Sequence, residues 1–292
     1  RVFTPSQDYV KVFGNQFNQS INIRPDVLWS KKKGLKKFMS RFSDQLSFRT
    51  ERKTNEVDIA QRFNPLPLEI ADSNLITINS AFRNTFYFNR THPKFGADFT
   101  YQDLRNRNLL VNGFEARNNL LYEFNLRWNI GLFYQINLKA QQGEKANTSE
   151  VFQARNFDID YQSIAPKLII QSGKKVRLSI LTAYTEKRNQ QELGNELAII
   201  RKAGVEYAYN IVGKGTIVAE LNYLLIDYNG QGNSALAFEM LEGLQNGQNL
   251  TWGVTIQQNL ANNLQLNLNY NGRIAEERQA IHAGGVQLRA FF

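Results

Sequence analysis

The chain has 292 residues, no cysteine and a formal charge of +9, which allows one large β-domain or two ordinary domains and excludes disulfides and thiolate metal sites. No apolar run reaches the roughly eighteen residues that a transmembrane helix needs. Membrane-spanning strands are not excluded, because they are only half apolar.

The amino end, RVFTPSQDYV, carries no initiator Met, no charged n-region and no apolar h-region. It therefore reads as the start of a processed chain or as a piece of a longer one. Residues 3–13, FTPSQDYVKVF, alternate poorly, and 1–14 are expected to be a first strand or a lead-in to one. A more regular strand is expected from Ser20 to Trp29, with Pro25 inside it. Proline there is awkward, because a closed sheet has no free edge for a missing N–H.

KKKGLKKFMSR follows, residues 31–41. Its five lysines and one arginine hold most of the net charge and leave only +3 for the rest of the chain. A nearly balanced protein with one basic spot is a poor match to a nucleic-acid binder. Leu35, Phe38 and Met39 share one helical face, opposed by Lys31, Lys32, Lys33, Lys36, Lys37 and Arg41. This pattern predicts a short amphipathic helix in a turn, lying on lipid headgroups or docking an acidic partner.

From Phe42 onward, period-two alternation recurs. LYEFNLRW opposes Tyr122, Phe124, Leu126 and Trp128 to Glu123, Asn125 and Arg127. LFYQINLKAQ, LTWGVTIQ and LQLNLNYNGR repeat the pattern, and alternation over eight to ten residues indicates strands with one apolar and one polar face. Pro166 is a second proline inside such a segment. Tight connections are expected at 91–94, 128–131, 171–175, 212–215 and 259–263. Long ones are expected at 54–74, 103–114, 142–156, 187–199, 229–248 and 274–281. Short turns at one end and long loops at the other are the plan of an up-and-down membrane barrel, whereas a β-sandwich has no reason to keep that parity. The register counts thirteen strands between Ser20 and Phe292. Because single-chain barrels normally have an even number, segment 3–13 is expected to supply one more, for about fourteen, with twelve or sixteen as the alternatives. The predicted class is an all-β, transmembrane, antiparallel up-and-down barrel, a single domain over 1–292.

Aromatic residues gather toward strand ends: Trp29, Trp128 and Phe292 at the short-turn end, Tyr184 and Trp252 nearer the long loops. Girdles at two interfaces would be placed this way. On the polar face the register puts Arg24, Arg49, Arg127, Lys139, Lys167, Arg177, Arg273 and Arg289, with Glu51, Asp98, Glu123 and Glu220. Either the basic excess gives an open lumen that favours anions, or the charges pair into a network that fills it.

No catalytic constellation stands out. The two histidines, His92 and His282, lie far apart in the sequence without a nearby nucleophile and orienter, so no enzyme is expected. VGKGT lacks the spacing of a phosphate loop, and no carboxylates are spaced as a calcium loop. No cofactor or metal is expected.

The ending GGVQLRAFF, with Val286, Leu288, Ala290 and Phe292 alternating to an aromatic last residue, resembles the C-terminal strand of Gram-negative outer-membrane β-barrels. The resemblance implies an integral outer-membrane location and recognition of this strand by the barrel-assembly machinery. The Asn-, Tyr- and Lys-rich style is similar to Bacteroidota envelope proteins, where such a barrel often ends a longer polypeptide. The expected function is a membrane anchor or scaffold for a larger envelope protein or complex. A porin-like channel or transporter for small, preferably anionic, solutes is the alternative. Expected partners are outer-membrane lipid, the assembly machinery during biogenesis, and other envelope proteins, with no nucleic acid.

Overall fold

A computed structural model describes residues 11–55, 58, 75–110, 113–191, 194–261, 263–276 and 278–290. The described chain is all-β. Thirteen antiparallel strands form one sheet in which each strand pairs with its neighbours in sequence. They are β1 (Phe13–Ile23), β2 (Phe42–Thr54), β3 (Leu75–Phe88), β4 (Phe95–Leu110), β5 (Gly113–Ile130), β6 (Tyr134–Ser149) and β7 (Phe157–Ser172). The rest are β8 (Val176–Asn189), β9 (Leu197–Ile211), β10 (Gly215–Tyr228), β11 (Gly247–Ala261), β12 (Leu264–Ala275) and β13 (Ile281–Ala290). Among the described residues three short α-helices and one 3-10 turn, Gln153–Arg155, interrupt them: α1 (Pro25–Trp29), α2 (Leu35–Met39) and α3 (Ala235–Met240).

The up-and-down order follows from local chemistry. Gly131, Gly173 and Gly213 take φ of 66°, 62° and 75° in the turns that close β5–β6, β7–β8 and β9–β10. Three-residue hairpins need a left-handed residue of this kind, and glycine supplies it without a Cβ penalty. Each strand then returns beside the one before it.

Register gives the sheet two opposite faces. Leu126 sits across from Leu138 and Trp128 from Ile136, while Asn125 and Arg127 on the other face oppose Lys139 and Asn137. The polar face is the inner one. The segment 229–246 lies against it, touching Lys145 on β6, Lys187 on β8 and Arg273 on β12, so the sheet curls round this segment. Its apolar side forms the main buried cluster: Ala237, Met240 and Leu241 pack on Ile159, Ile200, Leu224 and Ile226.

Several expectations are corrected. The first strand is Phe13–Ile23, and Pro25 opens α1 at a position where its missing N–H costs nothing. Trp29 is therefore helical, and Arg24 lies between β1 and α1. Pro166 does remain in a strand. It pairs with Leu138 on one side, but the β7–β8 ladder resumes only at Ile164 and Lys167. The proline is accommodated by a local opening of that ladder without a shift of register. The predicted loops 103–114, 142–156, 187–199 and 274–281 shrink to 111–112, 150–156, 190–196 and 276–280, because the strands run further than alternation indicated.

In an odd-numbered meander the first and last strands run the same way, so one strand antiparallel to both would close the ladder. The segment expected to add it, 3–13, lies outside the described residues up to residue 10.

Ile226 is fully buried beneath α3. Ile226→Ala is expected to weaken the seating of 229–246 by about 2–5 kcal/mol. Limited proteolysis should then cut this segment faster, with β content by circular dichroism unchanged. Unchanged cleavage would contradict the packing described.

Candidate functional site

The site with the most elaborate local architecture is the inner face around α3. Ser234 caps the helix, its hydroxyl accepting from the Ala237 N–H at 3.0 Å. At the other end the Gly243 N–H donates to the Phe238 carbonyl at 3.1 Å, the long bond of a Schellman C-cap. The left-handed position that such a cap needs is held by Glu242, with φ of 57°. A non-glycine residue is unfavourable there, and an ion pair offsets the cost. The Glu242 carboxylate accepts from Lys187 Nζ at 2.8 Å. One turn earlier Glu239 meets Lys145 Nζ at 2.7 Å, and Arg273 donates to the Gly243 carbonyl at 3.2 Å. Strands β6, β8 and β12 thus hold the segment at three points.

Lys187 is the buried member of its pair, with a side chain 6% exposed. Without Glu242 a cation would stand almost dry, which is costly. Glu242 itself is wetted, 63% exposed to the interior space, although many protein atoms surround it. Crowding pushes its carboxyl up, but the charge and hydrogen bond of Lys187, aided by Lys145 and Lys202, outweigh this and hold it below its ordinary value of 4.5.

Two cavities flank α3. One of about 660 Å³ lies toward β3–β6, and one of about 400 Å³ lies toward β12 and β13.

The predicted interior basic residues fall into distinct settings. Lys139 meets Glu123 at 3.1 Å, and Glu123 also accepts from Asn125 and Gln141 at 2.8 and 2.7 Å. Lys167 and Arg177 share Glu206, at 3.8 and 3.2 Å. Arg127 donates to the His92 and Arg90 carbonyls at 2.9 and 3.3 Å and closes the 89–94 turn. Arg49 and Arg289 share the inner face by register. Arg24 stands apart: it lies outside any strand and bonds Asp26 beside α1 at 3.0 Å. Sequence reasoning missed Lys145, Lys187, Glu239 and Glu242. The signal that could have found the last two is ALAFEMLEGL in the 229–248 loop, whose Leu236, Ala237, Met240 and Leu241 have helical spacing.

The outer face carries aromatics at two levels. Trp128 and Tyr134 lie near the turn end; Tyr184 and Trp252 lie nearer the loop end. Trp252 covers Gly272, and His282 accompanies it, bonded to the Tyr270 hydroxyl at 2.8 Å. At the turn end Phe42 links α2 to the sheet, with Phe38 at 5.3 Å and Phe86 at 5.4 Å between ring centres. Leu35, Phe38 and Met39 are exposed beside this aromatic rim. Gly34 starts α2 with φ 65° and ψ −142°, a conformation that glycine alone adopts without strain. Val286 and Leu288 are exposed on the outer face of β13 and Ala290 ends that strand; Phe292 lies outside the described residues. His92, in the 89–94 turn, accepts from the Lys94 and Phe95 N–H groups. Among the described residues no three acidic or imidazole side chains converge as a metal site.

The direction of the Glu242 shift has a consequence. A carboxylate held below its ordinary value contributes stability that is complete above that value and lost as pH falls through the folded one. The protection of amides 237–243 relative to their intrinsic exchange rates is therefore expected to fall on acidification below pH 4.5. Glu242→Gln should flatten that dependence while β content holds, and a pH profile identical in the variant would contradict the pair's role.

No family model matches the chain, and no curated protein matches it. Among solved structures it is similar to CdiB from Acinetobacter baumannii, with a TM-score of 0.49 and 12% identity over 96% of this chain and 54% of that one. The chain thus spans about half the length of that protein. It is also similar to the translocator domain of the autotransporter NalP from Neisseria meningitidis, with a TM-score of 0.32 and 10% identity over 96% of this chain and 88% of the other.

Proposed function

We propose that the protein is an integral outer-membrane β-barrel acting as an anchor or scaffold, with a lumen obstructed by residues 229–246. The outer face supports the membrane assignment. On β5, outward apolar residues run from Leu120 to Ile130, with Tyr122, Phe124, Leu126 and Trp128 between them. Ten steps of about 3.4 Å make about 34 Å along the strand. At a barrel strand's usual tilt of about 40° this becomes about 25 Å, the height of an outer-membrane apolar band. On β5 the next outward position beyond Leu120 is Asn118, and on β6, β7 and β8 the outward positions paired at the level of Tyr122 and Leu120 are already polar: Gln142, Glu144, Asp160, Gln162 and Glu186.

The obstructed interior is the observation that carries the anchor reading. Residues 229–246 cross the inner face under three polar ties and an apolar cluster. Elsewhere inside, Lys139, Lys167 and Arg177 are countercharged by Glu123 and Glu206. Paired charges of this kind stiffen a wall more than they select passing ions.

The turn holding α1 and α2 fits an interfacial role. Leu35 is 77% exposed and Leu28 73%, and both sit at the turn-side rim. The neighbouring lysines would meet phosphates, each worth about 1 kcal/mol near an anionic surface. The alternating end of β13 supports the reading that assembly machinery recognises this strand.

The cavities on both sides of α3 favour one second reading, a constricted channel for small anions. Planar-bilayer recording separates the two. The obstructed anchor is expected to show little steady conductance, and deletion of 231–245 is expected to raise it. A large, anion-selective conductance in the intact protein would replace the anchor with the channel.

A further inference from the structure

We propose that the larger interior cavity is a carbohydrate-binding site sized for an oligosaccharide. Its volume of about 660 Å³ lies in the range of ligand pockets, about 300–1,000 Å³. The cavity is formed by the sheet, α3 and Arg155 of the turn between β6 and β7, wherever the protein resides.

The wall is a row of side chains at one level across four strands. Asn79 faces Asn106, Asn106 faces Arg117, and Arg117 faces Asn147. Arg117 Nε donates to Asn147 Oδ1 at 3.1 Å, and Asn147 Nδ2 donates in turn to the Arg155 carbonyl at 2.9 Å. Asn106 Oδ1 accepts from Asn108 Nδ2 at 2.7 Å, so three of the four side chains are held in place before any ligand arrives. An amide offers two donors and an acceptor within one planar group, and so suits hydroxyls, which both give and take hydrogen bonds.

The floor supplies what the wall lacks. Phe238 on α3 lines the cavity and is 71% exposed. It cannot easily turn away. Ala237 and Met240 on the same helix are fully buried at 0%, and the Glu239–Lys145 pair fixes the helix rotation. An exposed phenyl ring on a seated helix, opposite a row of amides, matches the two surfaces of a pyranose: an apolar C–H face and a rim of hydroxyls.

Other ligand classes fit less well. A phosphate or nucleotide would need several cations without counterions, but Lys145 lies on Glu239, Arg117 stands 3.6 Å from Glu115 and Arg105 2.7 Å from Asp103, which leaves Arg155 as a single cation on the lining. A lipid chain would need an unbroken apolar wall; Leu104 and Phe157 also line the cavity, but the amides and guanidinium of the row interrupt them.

The test uses the full chain in amine-oxide micelles, whose headgroup carries no sugar. Saturation-transfer NMR and titration calorimetry are run with a neutral trisaccharide, cellotriose, and an acidic one, trigalacturonate. Binding of at least one with Kd of about 1 mM or tighter is expected. Phe238→Ala and Asn106→Leu should each weaken it by about tenfold, while Phe238→Trp, which keeps an aromatic face, retains it. Heat-modifiable migration on a gel verifies that each variant is folded. Preference for the acidic sugar would assign contacts to Arg155 as well; equal binding would assign recognition to the amides and ring alone. Folded protein that binds neither sugar, or binding undiminished in Phe238→Ala, would overturn the proposal.

Discussion

The whole structure depends on one constraint: a continuous antiparallel ladder occupies the backbone of every interior strand, so only the side chains distinguish the two faces. Where strand follows strand in sequence order, the register of each hairpin decides which residues face in and which face out. A slip of one residue on β5 would exchange Tyr122, Phe124 and Leu126 for Glu123, Asn125 and Arg127. The glycine turns at 131, 173 and 213 therefore matter beyond their size. They set the register that keeps an amide- and charge-rich surface inside and an aromatic one outside.

That arrangement explains why the interior is held together differently from an ordinary core. The inner wall is polar over most of its area, and the main apolar cluster is the patch under α3. There Ile159 on β7, Ile200 on β9, and Leu224 and Ile226 on β10 meet Met240 and Leu241. The ion pairs of Lys145 and Lys187 surround the patch and give the segment direction as well as adhesion. Glu242 shows how the levels connect: a strained left-handed residue ends the helix, and the same residue supplies the carboxylate for a nearly dry lysine.

Much of the fold was legible because a sheet with one apolar and one polar face writes itself into sequence with period two. LYEFNLRW and LQLNLNYNGR are read without ambiguity because their outward residues are all apolar and their inward ones nearly all polar. The reading failed where that contrast ends. On β6 the outward positions past Ala140 are Gln142 and Glu144, so both faces are polar and a continuing strand looks like a loop. Lys145 and Lys187 were lost for this reason, and with them the ties to α3. Ser20–Trp29 misled in another way: Trp29 and Leu28 suggest a strand, but Pro25 starts a helix. The basic turn was legible because Gly34 and the spacing of Leu35, Phe38 and Met39 carry a helical signal of their own. The amide row that lines the large cavity was not legible at all. Asn79, Asn106 and Asn147 lie on three strands, and only the register brings them together.

The central claim is that the apolar face meets lipid and the polar face encloses the interior. Because the chain has no cysteine, single-cysteine variants from residue 122 to 128 on β5 test it directly. Each would carry a fluorophore in vesicles containing a lipid-borne quencher. The account predicts strong quenching at 122, 124, 126 and 128 and weak quenching at 123, 125 and 127. Quenching that is uniform along the strand, or strongest at the odd positions, would contradict it.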